Sequence, residues 1–107
     1  MDRIVEKGIL FDYYGCLLTE RQQQIYEDAV SNDLSLSELA EAYDISRQGV
    51  HDLLRRCDKS LQEYEDRLGC VARDQALRKE ARYLKERAGD LSVEEQRKLA
   101  DRLLELT

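Results

Sequence analysis

Between Ser46 and Gly69 the chain places apolar side chains at Val50, Leu54, Cys57, Leu61, Tyr64 and Leu68, in steps of 4, 3, 4, 3 and 4. Those steps put all six on one stripe of a single α-helix. A strand, whose side chains alternate at every second residue, cannot gather them. Ser46 can cap the start of this helix and Gly69 stops it. From Arg47 to Leu68 it would run about 33 Å at 1.5 Å per residue, longer than a small module needs. Its second half must therefore pack on something. Composition agrees with long helices: the 107 residues hold Pro 0 and Gly 5. Such a chain is poor material for a turn-rich sandwich or barrel.

The other segments read the same way. Arg3 to Gly15 spaces Ile4, Val5, Ile9, Leu10, Phe11 and Tyr14 as a helix, closed by Gly15. Thr19 with Gln22 makes a capping box for a second helix, whose stripe is Ile25, Tyr26, Ala29 and Val30 and which Ser31-Asn32-Asp33 breaks. Ser35 with Glu38 caps a short third helix with Leu36, Leu39, Ala40 and Tyr43 on one face. After the long fourth helix, a fifth is expected from about Val71 to Ala88 along Leu77, Ala81, Leu84 and Ala88, closed by Gly89. Ser92 with Glu95 caps a last helix that turns Leu99, Leu103 and Leu106 inward. Tyr13, Tyr14, Tyr26, Tyr43 and Tyr64 are expected in or against the core. The expectation is one all-α domain in two parts: a module over 1–69, and a helical hairpin over 70–107 packed on it.

Charge narrows the function classes. The net charge is −6, against non-specific binding to nucleic acid. The charge is uneven, however: residues 1–35 carry −4, residues 46–59 carry +2 and residues 67–87 carry +4. The late basic run, Arg73, Arg78, Lys79, Arg82, Lys85 and Arg87, is interleaved with Asp74, Glu80 and Glu86. It reads as a solvated face with intrahelical pairs, each worth about 0.2–0.5 kcal/mol. The three cysteines contain no C-x-x-C and His51 is the single histidine, so neither a metal nor another cofactor is expected. The cysteines read as reduced thiols acting as small apolar residues. No phosphate-binding glycine loop, H-E-x-x-H or nucleophile elbow occurs, and the expectation is a protein that is not an enzyme. The longest charge-free stretch near the start, Tyr13 to Thr19, falls far short of the roughly 20 residues of a membrane span. No signal peptide is visible, and a soluble cytoplasmic protein is expected.

The informative stretch is Leu36 to Arg55, LSELAEAYDISRQGVHDLLR. A helix-turn-helix needs a small residue where its two helices cross, and Ala40 stands there. It needs a sharp turn soon after, and Asp44 tolerates a left-handed conformation. Ile45, Val50 and Leu53 have the spacing to anchor the second helix from beneath. That leaves Arg47, Gln48, His51, Asp52 and Arg55 outward, where the start of a recognition helix meets base edges. Arg47 can pair with guanine and Gln48 with adenine. Ser46 and the free N–H groups of the first turn can hold a phosphate, and Arg55, Arg56 and Lys59 can follow the backbone. His51 reads either as a base contact or as a solvated surface residue.

The segments LTERQQQIY and LSLSELAEAYDISRQGVHDLLRRCDKSL resemble region four of a sigma factor. Together with the leading YYGCLLTERQ and the helical, acidic tail, they resemble still more the YlxM-like family of small bacterial proteins. The likeness covers about the first 70 residues well and the tail only in character. It implies a sigma region four-like helix-turn-helix of the winged-helix-type superfamily, followed by a long helix and a C-terminal helical hairpin. It also implies a cytoplasmic, oligomeric, DNA-binding or regulatory protein whose genes neighbour those of the signal recognition particle pathway. Gly49 stands where this family usually has alanine, at a helix-propensity cost of about 1 kcal/mol. The partner expected is nucleic acid, DNA or signal recognition particle RNA, bound by a homo-oligomer, most simply a dimer, without membrane insertion. An adaptor for a protein of the targeting or transcription machinery, binding through an acidic and apolar surface with Asp52, Asp58 and Glu63, is the alternative. An oligomeric scaffold with a vestigial helix-turn-helix is the weakest reading.

Overall fold

A computed structural model describes residues 3–107, with side chains from Val5 onward. Ile4, expected on the apolar face of the first helix, lies outside the described side chains. Among the described residues the protein is all-α, with no strand. The helices are α1 (Arg3–Tyr14), α2 (Glu20–Val30), α3 (Leu36–Tyr43), α4 (Arg47–Leu68), α5 (Cys70–Arg87) and α6 (Val93–Glu105). Single 3-10 turns follow α1 over Gly15–Leu17 and α5 over Ala88–Asp90. No helix is long and apolar enough to cross a membrane. The chain divides into two compact units, Met1–Leu68 and Gly69–Thr107.

The helix starts obey local chemistry. Thr19, Ser35 and Ser92 each accept the N–H three residues on, while Gln22, Glu38 and Glu95 accept the cap N–H in return. These reciprocal bonds satisfy backbone donors that a helix start otherwise leaves open. Asp33 and Asp44 take the left-handed conformation, at φ 56 and φ 54, and end the two segments before α3 and α4. The Leu34 N–H then reaches back to the Asp28 carbonyl at 3.0 Å, which closes the turn between α2 and α3.

In the first unit Ile25, Leu39 and Val50 are fully buried together, with Ala29, Leu34, Ala40, Tyr43, Ile45, Leu53 and Leu54 packed around them. Burial of each large aliphatic group stabilises the fold by about 1.5–3 kcal/mol. A second layer joins α1 to α2 and α4. The Phe11 and Tyr26 rings lie 5.2 Å apart, and the Tyr14 and Tyr64 rings 6.1 Å apart. The buried Tyr26 hydroxyl donates to Asp58 at 2.6 Å, and Lys7 pairs with the same carboxylate at 3.1 Å. Tyr14 donates to Glu65. A side chain at position 15 would force the Phe11 ring to shift, since a Cβ there would meet it at 2.8 Å.

Several expectations need correction. The α4 seam is buried at Val50, Cys57 and Leu61, but Leu68 at its end is 58% exposed. Asp58 is turned inward against Tyr26 and Lys7. It sits one position past the buried Cys57, on the side that α1 and α2 cover, so it is not part of an outward acidic surface. Cys16 is exposed and only Cys57 behaves as a buried apolar group. In the second unit Val71 and Leu99 are buried, whereas Ala81, Leu84 and Ala88 of the α5 seam are exposed. A two-helix hairpin covers one side of each helix only, so a stripe that would need a third helix stays in solvent. Glu80 does not pair along α5; Arg102 of α6 takes it, with Nη2 and Nε each at 3.3 Å.

Candidate nucleic-acid interface

The turn into α4 is built by three residues in succession. Asp44, left-handed at the end of α3, reverses the chain. The half-buried Ile45 packs against the Ile25–Leu39–Val50 core, and its N–H donates to the Ala40 carbonyl at 3.1 Å. Ser46 then caps α4: its Oγ accepts the Gly49 N–H at 2.9 Å and its carbonyl accepts the Val50 N–H at 3.0 Å. Among the described residues no hydrogen bond occupies the N–H groups of Arg47 and Gln48, which face solvent at the positive end of a 22-residue helix. Arg21 steadies the other side of the turn by donating to the Tyr43 carbonyl at 3.3 Å.

Gly49 has a local role at this start. A Cβ at that position would come within 3.1 Å of Ser46 Oγ, the atom that caps the helix. The departure from alanine thus leaves room around the cap, which offsets part of its propensity cost.

The exposed face of α4 is a mixed surface. Ser46, Arg47, Gln48, His51, Arg55, Arg56 and Lys59 are all exposed. Positions 48, 52, 55 and 59 recur in steps of 4, 3 and 4 and run opposite the seam of Val50, Leu54, Cys57 and Leu61. Arg47 lies at the flank nearest α3, with Nη1 3.4 Å from Ser37 Oγ. Gln48 donates its amide to Asp52 at 2.9 Å, and His51 Nδ1 stands 3.8 Å from the same oxygen. Asp52 thereby gathers the polar groups of the second turn. Pairing of Gln48 with adenine would need its amide donor, so Gln48 must leave Asp52 first. The sequence reading missed that engagement, although the four-residue spacing of Gln48 and Asp52 signals it.

Beyond Asp52 the face turns cationic. Arg55, Arg56 and Lys59 form no ion pair among the described residues. With Asp52 they line an open depression of about 420 Å³. Three cations and one carboxylate around a shallow hollow, and further up the same helix a start with open N–H groups, can hold phosphate oxygens. They offer no nucleophile and base within bonding distance of one another. No group of three or more His, Cys, Asp or Glu that could hold a metal occurs among the described residues.

Comparison with known proteins matches residues 1–101 to the family UPF0122, described as "Putative helix-turn-helix protein, YlxM / p13 like". A UPF0122 protein of Caldanaerobacter subterraneus subsp. tengcongensis is 47% identical over 78 residues, 73% of this chain and 67% of that one. One from Symbiobacterium thermophilum is 55% identical over 68 residues, 64% of each chain. One from Shouchella clausii is 37% identical over 107 residues, 99% of this chain and 98% of its own. Several relatives are thus matched over three fifths to two thirds of their length, and the last over nearly all of it. With the helix-turn-helix of α3 and α4 inside the matched region, the chain belongs to the UPF0122 family of helix-turn-helix proteins.

Proposed function

We propose that this protein binds nucleic acid through the start of α4 and acts as a regulator rather than as an enzyme. One observation carries the reading. The capped, solvent-facing first turn of α4 and the unpaired Arg55, Arg56 and Lys59 lie on one side of the helix, opposite its core. In this assignment Arg47, Gln48 and His51 approach base edges. Ser46, with the open N–H groups, holds a phosphate, and Arg55, Arg56 and Lys59 follow the backbone. The family resemblance supports DNA or signal recognition particle RNA as the target and a cytoplasmic dimer as the acting form.

The test is fluorescence anisotropy of labelled signal recognition particle RNA and of a random duplex DNA of equal length, each titrated across a salt series. Binding that weakens with salt and is lost in the Arg47→Ala/Arg55→Ala double variant is the expected result. Binding retained by that variant would show that another surface is responsible. A protein-binding adaptor is the second reading, favoured by Asp52 in the middle of the face. It gains if neither nucleic acid binds at low salt and if Asp52→Ala weakens capture of a protein of the targeting or transcription machinery.

A further inference from the structure

We propose that α5 carries a second surface for nucleic acid, in which Arg78, Arg82 and Lys85, with Lys79 beside them, grip the phosphate backbone. Positions 78, 82 and 85 recur in steps of 4 and 3. They form one stripe, about 6 Å and about 10.5 Å along the axis from its first member. All four cations are exposed, and among the described residues none forms an ion pair. The acids that could have neutralised them are engaged elsewhere. Glu80 is held across the hairpin by Arg102 at 3.3 Å, and Asp74 faces Arg73 at 3.8 Å. Glu86 is the one other acid of α5, and it forms no ion pair among the described residues.

Charge at the scale of each unit favours the same partner. Residues 1–68 hold eight Lys and Arg against fifteen Asp and Glu, a net −7. Residues 69–107 hold nine against eight, a net +1. The second unit therefore does not repel a polyanion as the first does, and α5 concentrates its positive charge. The side-chain types point to phosphate rather than to an acidic protein. Arginine offers a planar fork that bonds two oxygens of one phosphate. A protein partner would want an apolar anchor, and the exposed Tyr83 and Leu84 project more than a quarter turn round the helix from the stripe of Arg78, Arg82 and Lys85.

The inference rests on the nucleic-acid reading of α4, and its test separates the two. The full chain and an Arg78→Ala/Arg82→Ala/Lys85→Ala variant are titrated with the same labelled RNA and duplex across the salt series. Labelled poly-glutamate serves as an acidic polypeptide probe. Alanine at exposed helical positions keeps the fold, which circular dichroism checks. Loss of three phosphate contacts makes the slope of log affinity against log salt shallower by about 2 on single strands, at roughly 0.7 per contact, and by about 2.7 on duplex DNA, at roughly 0.9 per contact. Between about 50 and about 200 mM salt the intact chain then loses roughly 16-fold more affinity than the variant on single strands and roughly 40-fold more on duplex DNA, whatever the sequence. An unchanged slope overturns the proposal, as does poly-glutamate binding as tight as that of RNA. An unchanged slope together with loss of binding in Arg47→Ala/Arg55→Ala leaves the α4 reading intact. The opposite pair of results removes the α4 reading and keeps this one. No binding by the intact chain removes both.

Discussion

Asp28 illustrates how a single exposed-looking carboxylate is tied into the module. It accepts the Tyr43 hydroxyl and, at 2.8 Å, the Asn32 amide. Those two bonds, Tyr43 first, hold its pKa below the ordinary value, and the bond to Asp28, with burial behind it, pushes that of Tyr43 up. A carboxyl with a lowered folded-state pKa stabilises the fold above its unfolded value and loses that contribution as pH falls through the lower folded one. The Asp28 contribution is therefore complete at neutral pH and disappears only below the normal Asp range. In Tyr43→Phe the largest cause is gone, and the carboxyl midpoint, followed by NMR, is expected to rise toward 3.8 while Asn32 keeps it somewhat lower. An unmoved midpoint would show that Tyr43 is not the cause. Burial acts in the other direction at Cys57, whose thiol is pushed up to about 11, and raises the Tyr26 hydroxyl, which also donates to Asp58. The apolar spacing of Tyr26 and Tyr43 was legible in the sequence. Their carboxylate partners, 32 and 15 residues away, were not, because hydroxyl partners are chosen by the packing of separate helices.

At the scale of elements, the start of α4 is the most exposed to test. Ser46 is its sole side-chain cap, through the Gly49 N–H at 2.9 Å. Ser46→Ala is expected to cost about 1 kcal/mol, within the usual range for a lost cap. Thermal unfolding reads that loss, and hydrogen exchange places it in the first turn of α4. A substitution that leaves both unchanged would mean that the Ser46 bond contributes nothing. All three capping boxes and the cap at Ser46 were readable in advance, since each links residues three apart. The left-handed Asp44 was readable for the same reason. The hold of Asp52 on Gln48 is equally local, since the two residues stand one helical turn apart.

For the whole molecule, the unequal cores of the two units set an expected difference in dynamics. The first unit buries Tyr14, Leu18, Ile25, Tyr26, Leu39, Val50, Cys57 and Leu61, and the second Val71 and Leu99. Local opening free energy follows buried apolar packing. Native-state hydrogen exchange is therefore expected to protect the backbone of α2 and α4 longer than that of α5 and α6. Equal protection would show that burial within each unit does not set local stability here.

Taken alone, the sequence determined the helices of this protein, their caps and the outward placement of the cations of α4. Those features depend on neighbours within one or two turns, whose geometry is the same in any fold. Tertiary structure alone decided which charges are spent inside. It drew Asp58 in to Tyr26 and Lys7 and assigned Glu80 to Arg102 across a hairpin. It left Arg78, Lys79, Arg82 and Lys85 without ion pairs among the described residues. Pairing of charges on different helices depends on how those helices are laid against one another, and no spacing along a single helix contains that information.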